Sequence, residues 1–340
     1  MKVVMVKWFA SISLLLVAWM SCAGSTPAAE AAREKKPVRN GWDRKWFEYD
    51  RADEPVVRAA TPTAEQVDYV HRPRQVEEKA LAPKASNEAV KPRTMGPMEV
   101  VHLRYRDAAG EMVPALLCTP KGQKGPFPVV VAVHGLTSNK AQVCAQVGPA
   151  LVERGFAVLA ADMPRHGERP GDPRSVLDRS NPVQAFELFK QAVIDVRLLI
   201  DVAETRPELD TSGGVVLVGY SMGSWINSVV GPVDDRVRAM ALLVGGAHDI
   251  PPAALLLPQI AASDPRLAIA HFAGRPLLMV AAKQDHVVTP DMSQRLYAAA
   301  SEPKEMVWYD SGHRLVPEAF QAVADWVAAA VREPAPKVDR

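Results

Sequence analysis

Gly219-Tyr220-Ser221-Met222-Gly223 follows the apolar, β-branched run Val215-Val216-Leu217-Val218 and precedes Ser224-Trp225-Ile226-Asn227-Ser228-Val229-Val230. The run before it has the composition of a buried parallel strand, and the run after it reads as a short packed helix. Strand, G-x-S-x-G, helix is the local order of a nucleophile elbow. A serine on a sharp turn projects its hydroxyl above the sheet, and small residues on either side let strand and helix pack closely. The N–H of the next residue, Met222, then lies at a helix N-terminus, where it can stabilise a developing oxyanion. G-x-S-x-G alone is a common string. The strand before it adds weight, and the partners further along the chain decide its meaning.

Outward from this stretch, apolar runs alternate with helical patterns. Upstream, Glu99 to Arg106 and Glu111 to Cys118 alternate around Asp107-Ala108-Ala109-Gly110, a β-hairpin signature. Phe127 to Val133 reads as a buried strand ending in His134-Gly135-Leu136-Thr137, and Ala141 to Arg154 as a helix stopped by Gly155. Phe156 to Ala161 is a strand leading into Asp162-Met163-Pro164-Arg165-His166-Gly167, and Val183 to Glu204 has helical apolar spacing. Downstream, Val237 to Val244, Pro276 to Ala282 and Lys304 to Tyr309 read as strands, with helices over Ser293 to Ser301 and Pro317 to Arg332. The Pro-rich stretch Ile250 to Phe272 reads as an insertion or mobile lid beside the site. The pattern predicts an α/β domain over residues 98–333. Its mainly parallel eight-stranded sheet has helices on both faces and an N-terminal antiparallel hairpin. Ligands bind such sheets beyond the carboxyl ends of the strands.

The 340 residues carry a formal net charge of +1, so the composition points neither to nucleic acid nor to a strongly acidic partner. Lys2 and Lys7, the apolar run Trp8 to Met20 and the small residues Ser21-Cys22-Ala23 read as a signal peptide over residues 1–23, which implies export to the periplasm or medium. Cys22 offers a lipid-attachment site, the one route by which a membrane enters the expectation. Residues 24–97 read as a linker and N-terminal extension. Within them, Trp42, Trp46, Phe47 and Tyr49 are costly to leave in water and are expected to fold back onto the main domain. Cys118 and Cys144 are either two buried thiols or, in an exported chain, a disulfide.

Four of these motifs end predicted strands and so share one edge of the sheet. Ser221 is the nucleophile candidate, Asp285 follows the penultimate strand and His313 the last. A serine hydroxyl needs a base, which an imidazole titrating near neutrality supplies. A carboxylate then holds that imidazole in one tautomer and stabilises its protonated form. Leu136 N–H is the expected second oxyanion donor beside Met222 N–H. Asp249, Asp264 and Asp291 are the competing acids, and Asp285 leads on strand position. His134 and His166 read as structural, His286 as a surface residue or hydrogen-bonded neighbour of Asp285, Asp195 and Arg197 as a solvated or packing pair on one helix, and Trp225 as core. No His, Cys, Asp and Glu cluster has metal-ligand spacing and no Gly-rich phosphate loop occurs, so neither metal nor cofactor is expected.

With His134-Gly135-Leu136-Thr137, Asp162 to Arg169, the elbow, Asp285 and Ser311-Gly312-His313 in place, residues 99–332 resemble the α/β-hydrolase superfamily. Within it, the chain is similar to dienelactone-hydrolase-like and acetyl-xylan-esterase-like serine esterases. That resemblance implies hydrolysis of a carboxylic ester on a small molecule through an acyl-enzyme. Dienelactone hydrolases proper carry Cys where Ser221 stands, which favours ordinary esters over lactones. The alternatives are a prolyl-oligopeptidase-like peptidase, a lactone or thioester hydrolase, and a non-catalytic binding member of the fold.

Overall fold

The computed structural model describes residues 42–51, 58–59, 93–178, 180–248, 250 and 254–332. The expected signal peptide, Cys22, Asp249, Pro251, Pro252 and most of the expected linker lie outside them.

β3 (Met98–Arg106), whose exposure largely alternates, and β4 (Met112–Pro120), buried along most of its length, form an antiparallel pair, extended by the short strands β1 (Arg58–Ala59) and β2 (Arg93–Met95) on β3. Asp107 shapes the turn between them, its Oδ1 accepting the N–H groups of Ala109 at 3.0 Å and Glu111 at 2.8 Å. Strand and helix then alternate through β5 (Phe127–Val133), α1 (Lys140–Glu153), β6 (Ala157–Ala161), α2 (Pro182–Glu204), the short β7 (Leu209–Asp210), β8 (Val215–Tyr220), α3 (Met222–Val233) and β9 (Val237–Leu243). Next come α4 (Pro258–Ser263), α5 (Pro265–Ile269), β10 (Leu277–Ala282), α6 (Pro290–Ala299), β11 (Lys304–Tyr309) and α7 (Pro317–Arg332).

The sheet order is β1-β3-β4-β6-β5-β8-β9-β10-β11, parallel from β6 onward. It holds the eight expected strands, with β1, β2 and β7 added as two- or three-residue extensions. The order reverses at β5, which has β6 on one side and β8 on the other, so a crevice opens at their carboxyl ends. Val129, Val131 and Val133 of β5 join one core with residues of α2, α3 and the start of β4. Val130 and Ala132 join the opposite core with residues of α1 and α7. This two-sided burial explains why the parallel strands read as unbroken apolar runs.

Helix starts follow local capping. Asn139 accepts the N–H of Gln142 ahead of α1, and Asn181 that of Gln184 ahead of α2. Helix α6 begins at Pro290, three residues before the expected Ser293, because Thr289 caps it and proline suits the first helical position. Asp291 therefore sits in the first turn, paired with Arg295.

The aromatic segment is docked. Phe47 is fully buried against Phe189, Trp46 packs edge-on to Phe186, and Tyr49 donates a 2.9 Å hydrogen bond to Asp201. Asp195 and Arg197 do not pair with each other, since positions two apart on a helix face different ways. Asp195 instead pairs with Arg169, and Arg197 reaches Asp234 at 3.1 Å and the Phe47 carbonyl at 2.6 Å. Burial pushes the Asp195 carboxyl up to about 7. Cys118 and Cys144 are free, buried thiols; their hydrogen bond and burial hold the Cys144 thiol well above its ordinary value.

Candidate active site

At the end of β8 the backbone bends sharply. Ser221 has φ 54° and ψ −111°, a left-handed conformation that a side chain rarely adopts and that stores strain. The two glycines explain how so tight a turn packs. A Cβ at Gly219 would lie 2.5 Å from the Gly223 carbonyl oxygen, and one at Gly223 only 2.0 Å from that of Val133. Any larger residue would push β8, α3 and β5 apart. Ser221 N–H donates to Leu243 at 2.9 Å, and Ser224 Oγ lies 2.8 Å from the carbonyls of both Gly219 and Leu243, tying the turn to β9.

The loops after β10 and β11 complete the arrangement, and Gln284 N–H joins them through the Ser311 carbonyl at 3.0 Å. His313 Nε2 lies 3.0 Å from Ser221 Oγ, and its Nδ1 lies 2.7 Å from Asp285 Oδ2. The other carboxylate oxygen, Oδ1, accepts the N–H groups of Val287 at 2.8 Å and Val288 at 2.9 Å. A carboxylate can only accept, so Nδ1 carries the imidazole proton and Nε2 is left to accept from the serine hydroxyl. The Asp285 side chain is 1% exposed and that of His313 28%, so the acid is sealed while the imidazole edge stays open.

Sequence reasoning missed Tyr220, the residue before the serine. Its hydroxyl donates to the His313 carbonyl at 2.7 Å and accepts the Leu315 N–H at 3.2 Å, clamping the histidine loop to the elbow strand. Only its aromatic character at a strand end hinted at this. Tyr220→Phe is expected to lower kcat about five- to tenfold with KM little changed, because both hydrogen bonds that hold the histidine loop, each worth about 1 kcal/mol, are lost. Steady-state kinetics on an ester, with a melting curve to confirm folding, checks this.

Met222 is the first residue of α3, so its N–H has no acceptor within the helix. Leu136 lies in a turn closed by Ser138 N–H on the Gly135 carbonyl at 3.1 Å, which leaves its own N–H unused by that turn. A Cβ at Gly135 would come 3.4 Å from the Cβ of Ser221, so the two segments touch. His134 is fully buried, and burial lowers its pKa to about 4. Neutral, it accepts the Met163 N–H at Nε2 (3.0 Å) and donates from Nδ1 to the Gly135 carbonyl at 2.8 Å, joining this segment to the loop after β6. Asp162 fixes that loop in turn through the buried Lys140 ammonium at 2.7 Å and the N–H groups of Lys140 and Glu168. His166 lies buried with its ring tilted against that of His134, centroids 5.0 Å apart, and burial lowers its pKa.

The remaining candidates lie elsewhere. Asp264 caps α5 and pairs with Arg266, Asp291 pairs with Arg295, His286 is exposed, and Asp249 is outside the described residues. The stretch expected as a mobile lid is anchored from Ala262 onward, where Ala268, Ile269 and Phe272 enter the core. Trp225 is half-buried, stacked on Phe189 at 4.3 Å.

Comparison with known proteins places this geometry in context. Over 257 residues the chain is 26% identical to Esterase YjfP of Escherichia coli (strain K12), covering 66% of this chain and 96% of that one. Its fold is similar to acetyl xylan esterase from Paenibacillus sp. R4 (TM-score 0.57, 20% identity, 71% of this chain and 87% of that one). It is also similar to acetyl xylan esterase 1 from Thermoanaerobacterium sp. JW/SL YS485 (TM-score 0.56, 19% identity, 72% and 87%). Residues 113–325, from the inner strand of the hairpin to the last helix, match the family model described as dienelactone hydrolase, and the chain belongs to that family of α/β-hydrolase-fold proteins.

Proposed function

We propose that the protein is a serine carboxylesterase that cleaves a small-molecule carboxylic ester through an acyl-enzyme. The observation that carries this reading is the hydrogen-bonded relay Ser221 Oγ to His313 Nε2 (3.0 Å) and His313 Nδ1 to Asp285 Oδ2 (2.7 Å) at the carboxyl edge of the sheet. In the first half-reaction His313 takes the Ser221 proton as the oxygen attacks the ester carbonyl, and Asp285 stabilises the imidazolium. The carbonyl oxygen gains negative charge, and in this reading the N–H groups of Met222 and Leu136 are its donors; one such donor is typically worth about 3–4 kcal/mol. His313 then returns the proton to the departing alcohol. In the second half-reaction it activates a water that cleaves the acyl-enzyme, which restores the serine. A hydroxyl rather than a thiol in the elbow favours ordinary esters over the lactones of the family's name. The charged start and apolar run of residues 1–23 support placing this activity outside the cytoplasm, with Cys22 as an alternative lipid tether.

Purified protein is expected to hydrolyse p-nitrophenyl acetate and butyrate with saturation kinetics and to be titrated by an organophosphonate at one serine per chain. Peptide anilides with proline before the scissile bond are expected to resist it. Turnover of the anilide without ester hydrolysis would move the reading to a peptidase.

A further inference from the structure

The Leu136 N–H belongs to the same peptide as the Gly135 carbonyl. In a planar trans peptide these two groups point in opposite directions, so whatever fixes the carbonyl aims the N–H. Two donors fix it. Ser138 N–H closes the turn onto the Gly135 oxygen at 3.1 Å, with Thr137 at φ 59° in the left-handed position. His134 Nδ1 donates to the same oxygen at 2.8 Å. The segment also touches the elbow: a Cβ at Gly135 would lie 3.3 Å from the Tyr220 carbonyl oxygen and 3.4 Å from the Ser221 Cβ.

His134 donates from Nδ1 because its other nitrogen is engaged. Nε2 accepts the Met163 N–H at 3.0 Å, and a backbone N–H only donates, so the proton of the neutral ring stays on Nδ1. Burial of the whole ring keeps it neutral. Met163 follows Asp162, whose buried carboxylate gathers three donors. Oδ1 accepts the Lys140 N–H at 3.0 Å, and Oδ2 accepts the Lys140 ammonium at 2.7 Å and the Glu168 N–H at 2.9 Å. Lys140 also reaches the Glu168 carboxylate at 2.6 Å, which pairs with Arg104 of β3 at 2.9 Å. The loop closes tightly over this group, since a Cβ at Gly167 would lie 2.3 Å from the Asp162 carboxylate. His134 and Lys140 bracket the turn that carries Leu136, and the dipeptide Asp162-Met163 holds both.

We propose that His134 and Asp162 are positioning residues for the oxyanion donor. His134, kept in one tautomer by the Met163 N–H, pins the Gly135 carbonyl and so aims the Leu136 N–H. Asp162 keeps Met163 and the start of α1 in register with it. This inference rests on the esterase reading, with Leu136 as a donor, and adds to it a buried histidine that sets how well transition-state charge is met. A donor aimed at charge that develops only in the transition state acts on kcat rather than on KM.

His134→Asn can place an amide N–H where Nδ1 stands and loses only the Met163 bond, whereas His134→Leu deletes both bonds. Asp162→Asn sets an amide against donors and loosens the support without touching the Gly135 carbonyl. The three are compared with wild type by kcat and KM on p-nitrophenyl acetate and by Ki for a trifluoromethyl ketone, whose hemiketal oxyanion takes the place of the ester's. Phosphonate titration counts active sites, and melting curves follow folding. His134→Leu is expected to lower kcat and raise Ki by similar factors, about ten- to hundredfold, short of the roughly 10²–10³ of losing a donor outright. Its KM should move little. His134→Asn should stay within about fivefold on both scales, the worth of one hydrogen bond, and Asp162→Asn should fall between the two. Loss of packing alone would lower the count of titratable sites and leave Ki of the remainder unchanged. Should His134→Leu fail to fold, the paired shift of kcat and Ki in Asp162→Asn carries the test. A fall in kcat without a rise in Ki, or equal damage in His134→Asn and His134→Leu, overturns the inference while wild-type turnover leaves the esterase reading standing. Absence of ester turnover and of phosphonate labelling in wild type fails the esterase reading itself, and this inference with it.

Discussion

Ser221→Ala should abolish turnover while leaving the fold intact. The substitution keeps the Cβ, so the backbone strain at φ 54° is unchanged, and the Ser221 N–H bond to Leu243 does not involve the side chain. His313 loses a partner for Nε2, but its side chain is 28% exposed and water can replace the hydroxyl. Nothing buried is left unsatisfied, so the melting temperature should match wild type or exceed it, as is common when a polar functional group is removed from a site. Turnover should fall by roughly 10⁶, the cost of removing the nucleophile in other triad hydrolases. A residue of roughly 10³ over the uncatalysed rate should remain from the oxyanion donors and binding. Labelling by an organophosphonate, read by intact mass, should vanish with it. Esterase activity in Ser221→Ala within tenfold of wild type would mean another group attacks the ester.

The features legible in the sequence were those set by local physics. Buried parallel strands announce themselves as apolar runs because both faces are covered, and β5, β6, β8, β9 and β10 all read that way. The site followed from those strands, since Ser221, Asp285 and His313 each come just after a strand end and the sheet brings those ends together. What stayed hidden depends on contacts between distant positions. Trp42 Nε1 donates to the Ala262 carbonyl across 220 positions, and nothing in either neighbourhood signals the other. Tyr220 occupies a variable position of the G-x-S-x-G pattern, so its bonds to His313 and Leu315 have no local trace. Helical proximity in sequence misled in one place: Asp195 and Arg197 lie two apart, yet each is claimed by a partner from another element.

The second large effect concerns Asp285→Asn, and the hydrogen bonds around the carboxylate say why. Oδ1 is held by two backbone N–H groups, from Val287 and Val288, which can only donate. An asparagine must therefore turn its carbonyl oxygen toward them, because an amide nitrogen there would set donor against donor. Its NH₂ is then forced toward His313, at the place now occupied by Oδ2, 2.7 Å from Nδ1. Facing a donor, Nδ1 becomes the acceptor and the imidazole proton moves to Nε2. That nitrogen can no longer take the proton from Ser221. The fold should tolerate the change, since every buried polar group keeps a partner, and the melting temperature should shift by no more than a few degrees. Turnover should fall by roughly 10⁴, the scale of a wrong imidazole tautomer in a triad. It should recover partly at high pH, where a small fraction of deprotonated nucleophile needs no base. Asp291→Asn, which disturbs only a surface pair with Arg295, should stay within about twofold of wild type. Asp249→Asn is the control for an acid supplied by the strand before. If that variant is crippled while Asp285→Asn keeps near-normal kcat, the carboxylate that serves His313 in solution is not the one at the end of β10.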